Sequence, residues 1–250
     1  KLADMRSDTF TSEQRAEFLR LAENGAHFLR ENCLIGPGDW RCVFLMDETG
    51  APKRVEGYEE LDLSIYADCF VVCGLSRFAV ASGSEEDFAF AKRLYRSCRE
   101  RYDAGTYKTL PYPLSGKYRA HGVPMILTNV AAELFRAAGR FDTAFAESLK
   151  ADIARFSGCV LNGFTDAQNV VHEVIRSGGG FFGGVLGTHV NPGHTLEDMW
   201  FIAEAAEILG DGARRERAAA IAKKALEIGW DTEFGDRKST RLNSSHVSQS

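Results

Sequence analysis

The sequence predicts an all-α fold, an incomplete (α/α)6 barrel of helical hairpins with short β-hairpins in the long loops. Three observations lead there. Apolar residues recur at helical spacing through most of the chain, glycines divide the helical runs into pairs, and the connections alternate short and long. Short turns at one end of each hairpin and long loops at the other suit a ring of inner and outer helices. The long loops of such a ring build a concave site. About seven helices are expected, fewer than six closed hairpins require. No repeat period of roughly 30 to 50 residues indicates a solenoid instead.

Taken in order, Ser12 is placed to cap a helix carrying Ala16, Leu19, Ala22, Ala26 and Leu29. Arg41 to Met46, the turn Asp47-Glu48-Thr49-Gly50 and Ala51 to Val55 read as a β-hairpin. A long apolar helix runs from Leu61 to Ala81, ends at Gly83, and gives way to a helix from Glu85 to Tyr102. The same grammar sets His121 to Ala138 and Phe141 to Phe156 about Gly139. It also sets Leu196 to Leu209 and Arg214 to Ile228 about Gly210. A glycine just past a helix end supplies the left-handed residue that closes it. Asn169 to Ile175 reads as a short strand, and Gly178 to Gly187 as a mobile loop over the site. Those glycines match neither a P-loop nor a dinucleotide fingerprint.

Composition narrows the function classes. With 44% hydrophobic and 26% charged residues, the chain has the make-up of a globular domain. A net charge of -5 without a basic stripe argues against nucleic acid. Cys69 and Cys73 lack the second pair that a zinc site needs, so the six cysteines are expected as reduced, mostly buried thiols. No apolar run long enough to cross a membrane and no leader segment stands out, and the expected location is cytoplasmic.

The chemistry concentrates in Asn191-Pro192-Gly193-His194-Thr195-Leu196-Glu197-Asp198-Met199-Trp200. Asn191 suits an N-cap and Pro192 the first helical position, so a helix starts here. His194 then lies in the first turn, where the positive end of the helix dipole favours the neutral ring that a general base needs. Glu197, three residues on, shares that face and is placed to orient the ring. From spacing alone the same residues also fit a capped helix with a polar surface. The zincin pattern is absent, so no metal is expected.

The motif resembles the hallmark of the N-acylglucosamine 2-epimerase (renin-binding protein) family, N-P-G-H-x-x-E followed by an aromatic-rich helix. Further segments are similar in consistent order from Arg20 to Gly235. These are Tyr66-Ala67-Asp68-Cys69-Phe70, the run Gly122 to Asn129, Val171-His172-Glu173-Val174 with Gly178, Gly179 and Gly187, and Gly229-Trp230-Asp231. The resemblance implies inversion at C2 of an open-chain N-acyl amino sugar, interconverting N-acylglucosamine and N-acylmannosamine. It assigns proton transfer to His194 assisted by Glu197, and a sugar pocket to Tyr66, Asn129, Glu173 and Trp200. An aldose–ketose isomerase, a cellobiose 2-epimerase or a non-enzymatic renin-binding role are the alternatives it leaves open.

No cofactor is expected, although some family members respond to nucleotides, which implies a nucleotide as allosteric activator. The expected partners are a small amino sugar and, at full length, a second copy of the chain in a homodimer, with no nucleic acid and no membrane. His27 and His121 read as structural or solvent-facing, while His172 and His189 lie near the motif. The family's second proton-handling histidine and its sugar-holding arginine have no counterpart, so the chain reads as lacking both ends and as inactive by itself. Residues 1–235 form the expected domain. The polar stretch 236–250 is expected to be a non-native disordered tail, since Asp236 to His246 resembles a translated sequencing adapter.

Overall fold

The computed structural model describes Leu2 and residues 9–237. Among these are seven α-helices and four two-stranded antiparallel ribbons, which agrees with the predicted all-α fold with small β elements in its loops. Two compact units divide the chain, Lys1–Pro113 with Glu133–Glu147, and Leu114–Ala132 with Ser148–Ser250.

The first unit begins with α1 (Ser12–Asn32). Its cap is Thr11, one residue earlier than expected, because Thr11 and Gln14 form a reciprocal capping box. Strands β1 (Leu34–Gly36) and β2 (Asp39–Cys42) pair, as do β3 (Leu45–Met46) and β4 (Pro52–Lys53). The predicted hairpin is therefore narrower than Arg41 to Val55, with Arg41 and Cys42 belonging to the first ribbon. Asp47 organises its turn, accepting hydrogen bonds on Oδ1 from the amides of Thr49 and Ala51.

Helix α2 (Ile65–Ser82) packs on α1 and on α3 (Glu85–Ala104). By length and composition α2 is apolar enough to cross a membrane, contrary to the expectation from sequence. Its apolarity belongs to a core helix: Val72, Leu75 and Ala79 are buried, and so is Asp68, whose carboxylate accepts from Arg101 at 2.9 Å and from the Cys42 amide. All six thiols are free, with Cys33, Cys42, Cys69 and Cys98 buried.

Helix α4 (Gly122–Phe141) runs through Gly139, where a break was expected, and α5 (Thr143–Cys159) follows after a single residue. The break belongs to Asp142. Its amide closes α4 on the Ala138 carbonyl, and its carboxylate accepts from the Phe145 amide to cap α5. Both helices contribute residues to each unit.

In the second unit, β5 (Tyr118–Ala120) pairs with β6 (Val174–Arg176), placing Ala120 opposite Val174. Strand β6 is shorter and later than the predicted Asn169 to Ile175. Asn169 sits at φ 61 in a turn fastened by Asp166, and Val171 makes only an isolated bridge to Thr165. A π-helical turn at Val160–Phe164 extends α5. Helix α6 (Pro192–Leu209) closes at Gly210 with φ 65 and packs on α7 (Gly212–Gly229). Phe164, Val171, Ile175, Met199, Ile202 and Ile221 form the core beneath.

At Gly229 the end of α7 meets the start of α6 so closely that a Cβ would stand 2.7 Å from Pro192 Cβ. Beyond it, β7 (Trp230–Asp231) pairs with β8 (Asp236–Arg237). The expected tail thus starts inside a ribbon; the remainder, 238–250, lies outside the described residues.

Candidate active site

The first turn of α6 presents His194. Asn191 caps the helix as predicted, its side-chain oxygen accepting from the His194 amide at 3.1 Å, with Pro192 directly after it. The His194 side chain is 49% exposed. Its Nδ1 lies 3.2 and 3.3 Å from the two carboxylate oxygens of Glu173. The carboxylate accepts, so Nδ1 carries a proton, and in the neutral ring Nε2 keeps the lone pair.

Glu173 reaches this position because its backbone is held on both sides. Its amide donates to the His189 carbonyl, and its carbonyl accepts from the His121 amide where β5 leads into α4. The side chain is nearly buried. Burial alone would raise its pKa, but the imidazoles of His121 and His194 outweigh that and hold it at about 2.

Behind Glu173 lies His121, fully buried. Its Nε2 donates to Asp198 Oδ2 at 2.7 Å, and its Nδ1 is 3.7 Å from Glu173 Oε1. His121 is thus buried rather than solvent-facing, which leaves the structural one of the two readings that the sequence offered. Desolvation pulls its pKa down, and the two carboxylates overcome this and raise it to about 10. Burial pushes the Asp198 carboxyl up, partly offset by His121.

Two expectations for the motif need correction. The partner of His194 is Glu173 rather than Glu197, which is exposed and acts on the ring only through its charge. The neutral ring expected from the helix dipole is also opposed, because the hydrogen bond to Glu173 raises the His194 pKa. A direct charged hydrogen bond exceeds the fraction of a charge at a helix end.

The other residues expected to meet a sugar are taken singly. Asn129 is half-buried on α4 in the second unit, and Tyr66 is half-buried at the start of α2 in the first. Trp200 is exposed on α6, its indole N–H donating to Glu204 at 3.1 Å. His172 is tied at both ring nitrogens, to the Gly187 carbonyl and to Asp166. The glycine-rich loop is fastened as well, Phe182 stacking on Tyr118 and the Phe181 carbonyl accepting from Arg176.

Donor atoms of His121, Glu173 and His194 lie within 4.8 Å of one another. Within this group the His194 ring faces Glu173 across an N–H, while the hydrogen bond of the His121 ring goes to Asp198 outside it. What the arrangement offers chemically is an accessible imidazole whose tautomer is set by a buried carboxylate, the make-up of a general acid–base. Sequence inspection found His194 through its helix start. It missed the pair His121–Asp198, because nothing local relates residues 77 apart in sequence.

With its helical hairpins and this acid–base cluster, the chain belongs to the N-acylglucosamine 2-epimerase family, whose model matches residues 9–245. The N-acylglucosamine 2-epimerases of Bos taurus and Rattus norvegicus are each 27% identical over 234 residues. The match covers 90% and 91% of this chain and 52% of each relative, so the chain spans about half the length of the curated relatives it matches. Two solved structures share the fold. A sugar epimerase from a ruminal bacterium superimposes with TM-score 0.70 at 18% identity, covering 91% of this chain and 59% of that one. A cellobiose 2-epimerase from Bacillus thermoamylovorans gives TM-score 0.69 at 16% identity, covering 89% and 57%. These likenesses place the helical hairpins in the (α/α)6-barrel fold class.

Proposed function

We propose that the protein is a carbohydrate 2-epimerase for N-acyl amino sugars in which His194 is one of two proton-handling groups. The observation that carries this reading is the half-exposed His194 imidazole, bonded through Nδ1 to the buried Glu173. In the open-chain sugar the C2–H bond is acidic because the C1 aldehyde accepts its electron pair. His194 Nε2 takes the C2 proton, and the C2 electron pair forms the C1–C2 double bond of an enolate with the negative charge on O1 and the acylamino group still on C2. Glu173 supports the imidazolium so formed. A proton delivered to C2 from the opposite face restores the aldehyde with that centre inverted.

The second group and a sugar-holding arginine are proposed to come from the longer protein. Tyr66, Asn129 and Trp200 are proposed as pocket residues, with Glu197 adding charge near the base. Proton transfer alone completes the reaction, so no cofactor is invoked. A nucleotide is proposed only as an allosteric activator, and a homodimer as the full-length assembly. The free thiols fit a cytoplasmic location.

The test is solvent-deuterium incorporation at C2 of N-acetylmannosamine by the full gene product. His194→Ala should slow it by about 10²–10⁴ with the helical circular dichroism unchanged. Exchange at the unaltered rate in that variant would remove His194 from the mechanism. The 250-residue chain by itself should turn over little sugar; brisk turnover would mean that it holds both proton-handling groups.

A further inference from the structure

The proton transfer uses His194 and Glu173 and leaves the buried His121–Asp198 pair without a task. We propose that this pair is a positioning element for the base, an imidazolium set against Glu173 that takes up part of the carboxylate's charge, so that His194 retains a usable lone pair. The proposal rests on the reading of His194 as the base.

The geometry is a ring of alternating sign. His194 and Asp198 are four residues apart on α6 and therefore on one face. Glu173 bonds His194 at 3.2 Å, His121 stands 3.7 Å from Glu173, and His121 bonds Asp198 at 2.7 Å, which returns to α6. His121 is fixed to Glu173 twice, by its ring and by its amide, which donates to the Glu173 carbonyl at 2.9 Å. A neutral His121 would turn its Nδ1 lone pair towards a carboxylate, so the charged ring is the form that fits. His121 Nδ1 and Asp198 Oδ1 are buried without a hydrogen-bond partner, which leaves charge as the bond between them and their neighbours.

The consequence for His194 follows from the charges around it. Glu173 from the segment before β6 and Glu197 on α6 favour its protonation, while burial and the His121 charge at the start of α4 oppose it. Asp198, also on α6, is bonded to His121. A base tied only to Glu173 would be held further towards its protonated form, which has no lone pair for the C2 proton.

The test is an imidazole NMR titration of His194 in the whole chain. His121→Gln should raise the His194 pKa by about one unit, the scale of a charge removed from a shared partner. If that variant does not fold, the double change His121→Gln with Asp198→Asn removes both buried charges and should shift His194 in the same direction. A folded variant with the His194 pKa unchanged, or lowered, would reduce the pair to packing and overturn the proposal. The titration reads protonation and not turnover. Its failure is therefore separable from failure of the base assignment, which deuterium exchange reads.

Discussion

At His194 the deciding neighbour is remote in sequence. Glu197 has the right spacing on the helix, yet it is exposed, and Glu173 makes the hydrogen bond from 21 residues away. The two carboxylates can be ranked by experiment. Glu173→Gln should slow C2 exchange by ~10²–10⁴, as loss of a ring-orienting carboxylate does, and should lower the His194 pKa seen by NMR. Glu197→Gln should cost less than about 10-fold, since it gives up only a screened charge. Equal losses from both would restore Glu197 as the orienting group. The cap residue Asn191 and the first-turn position of His194 were legible because helix starts are written locally. His121 was not, because a histidine fixed by two distant carboxylates looks like any other histidine in a helix-rich run.

Among the elements, hairpin turns were the most readable feature and also the place of one misreading. Gly83 and Gly210 end their helices in the left-handed conformation, as their positions suggested. Gly139 does not, because the side chain of Asp142 offers a better cap three residues later, and a helix tolerates one interior glycine for about 1 kcal/mol. Strands were harder. The ribbon β5–β6 joins segments more than fifty residues apart, so its register depends on partners that a local pattern cannot show. Gly229 gives a sharp test of the α6–α7 contact that supports the site. Gly229→Ala would set a Cβ 2.7 Å from Pro192, whose ring cannot swing away. The expected cost is ~1–3 kcal/mol, measured by urea unfolding, with weaker turnover because the first turn of α6 must shift. An unchanged midpoint would show that the helix ends separate freely.

Across the whole molecule, the buried charges make stability depend on pH in a defined way. Glu173 has a folded pKa near 2 against an ordinary 4.5, so its contribution is present above 4.5 and is lost as pH falls through about 2. His121 is raised from 6.5 to about 10, so its contribution is complete below 6.5 and is lost as pH rises through about 10. The raised pKa of His194 adds a loss as pH rises above 6.5, and that of Asp198 a loss that begins as pH rises above 3.8. The melting temperature should therefore fall from roughly pH 6.5 to 10, and His121→Gln should flatten that limb. A limb that persists in the variant would assign it to other groups. Residues 238–250 are proposed to add nothing to this balance. Ending the chain after Arg237 should leave the melting temperature unchanged, and a clear drop would make the tail part of the fold.

The amide of His121 donates to the carbonyl of Glu173 at 2.9 Å, and the two side chains meet over the same peptide. That single N–H is a gauge of whether the acid–base cluster is assembled. Its exchange with heavy water requires the start of α4 to part from the segment before β6, the motion that would also take Glu173 from His194. In native-state exchange the His121 amide should therefore open together with the cluster, at a free energy close to that of the second unit's core. Exchange as fast as in the exposed turns would mean that the cluster opens while the core stays closed. A sugar that binds only the assembled cluster should slow the His121 amide in proportion to its occupancy. Affinity could then be read from one backbone proton without any turnover.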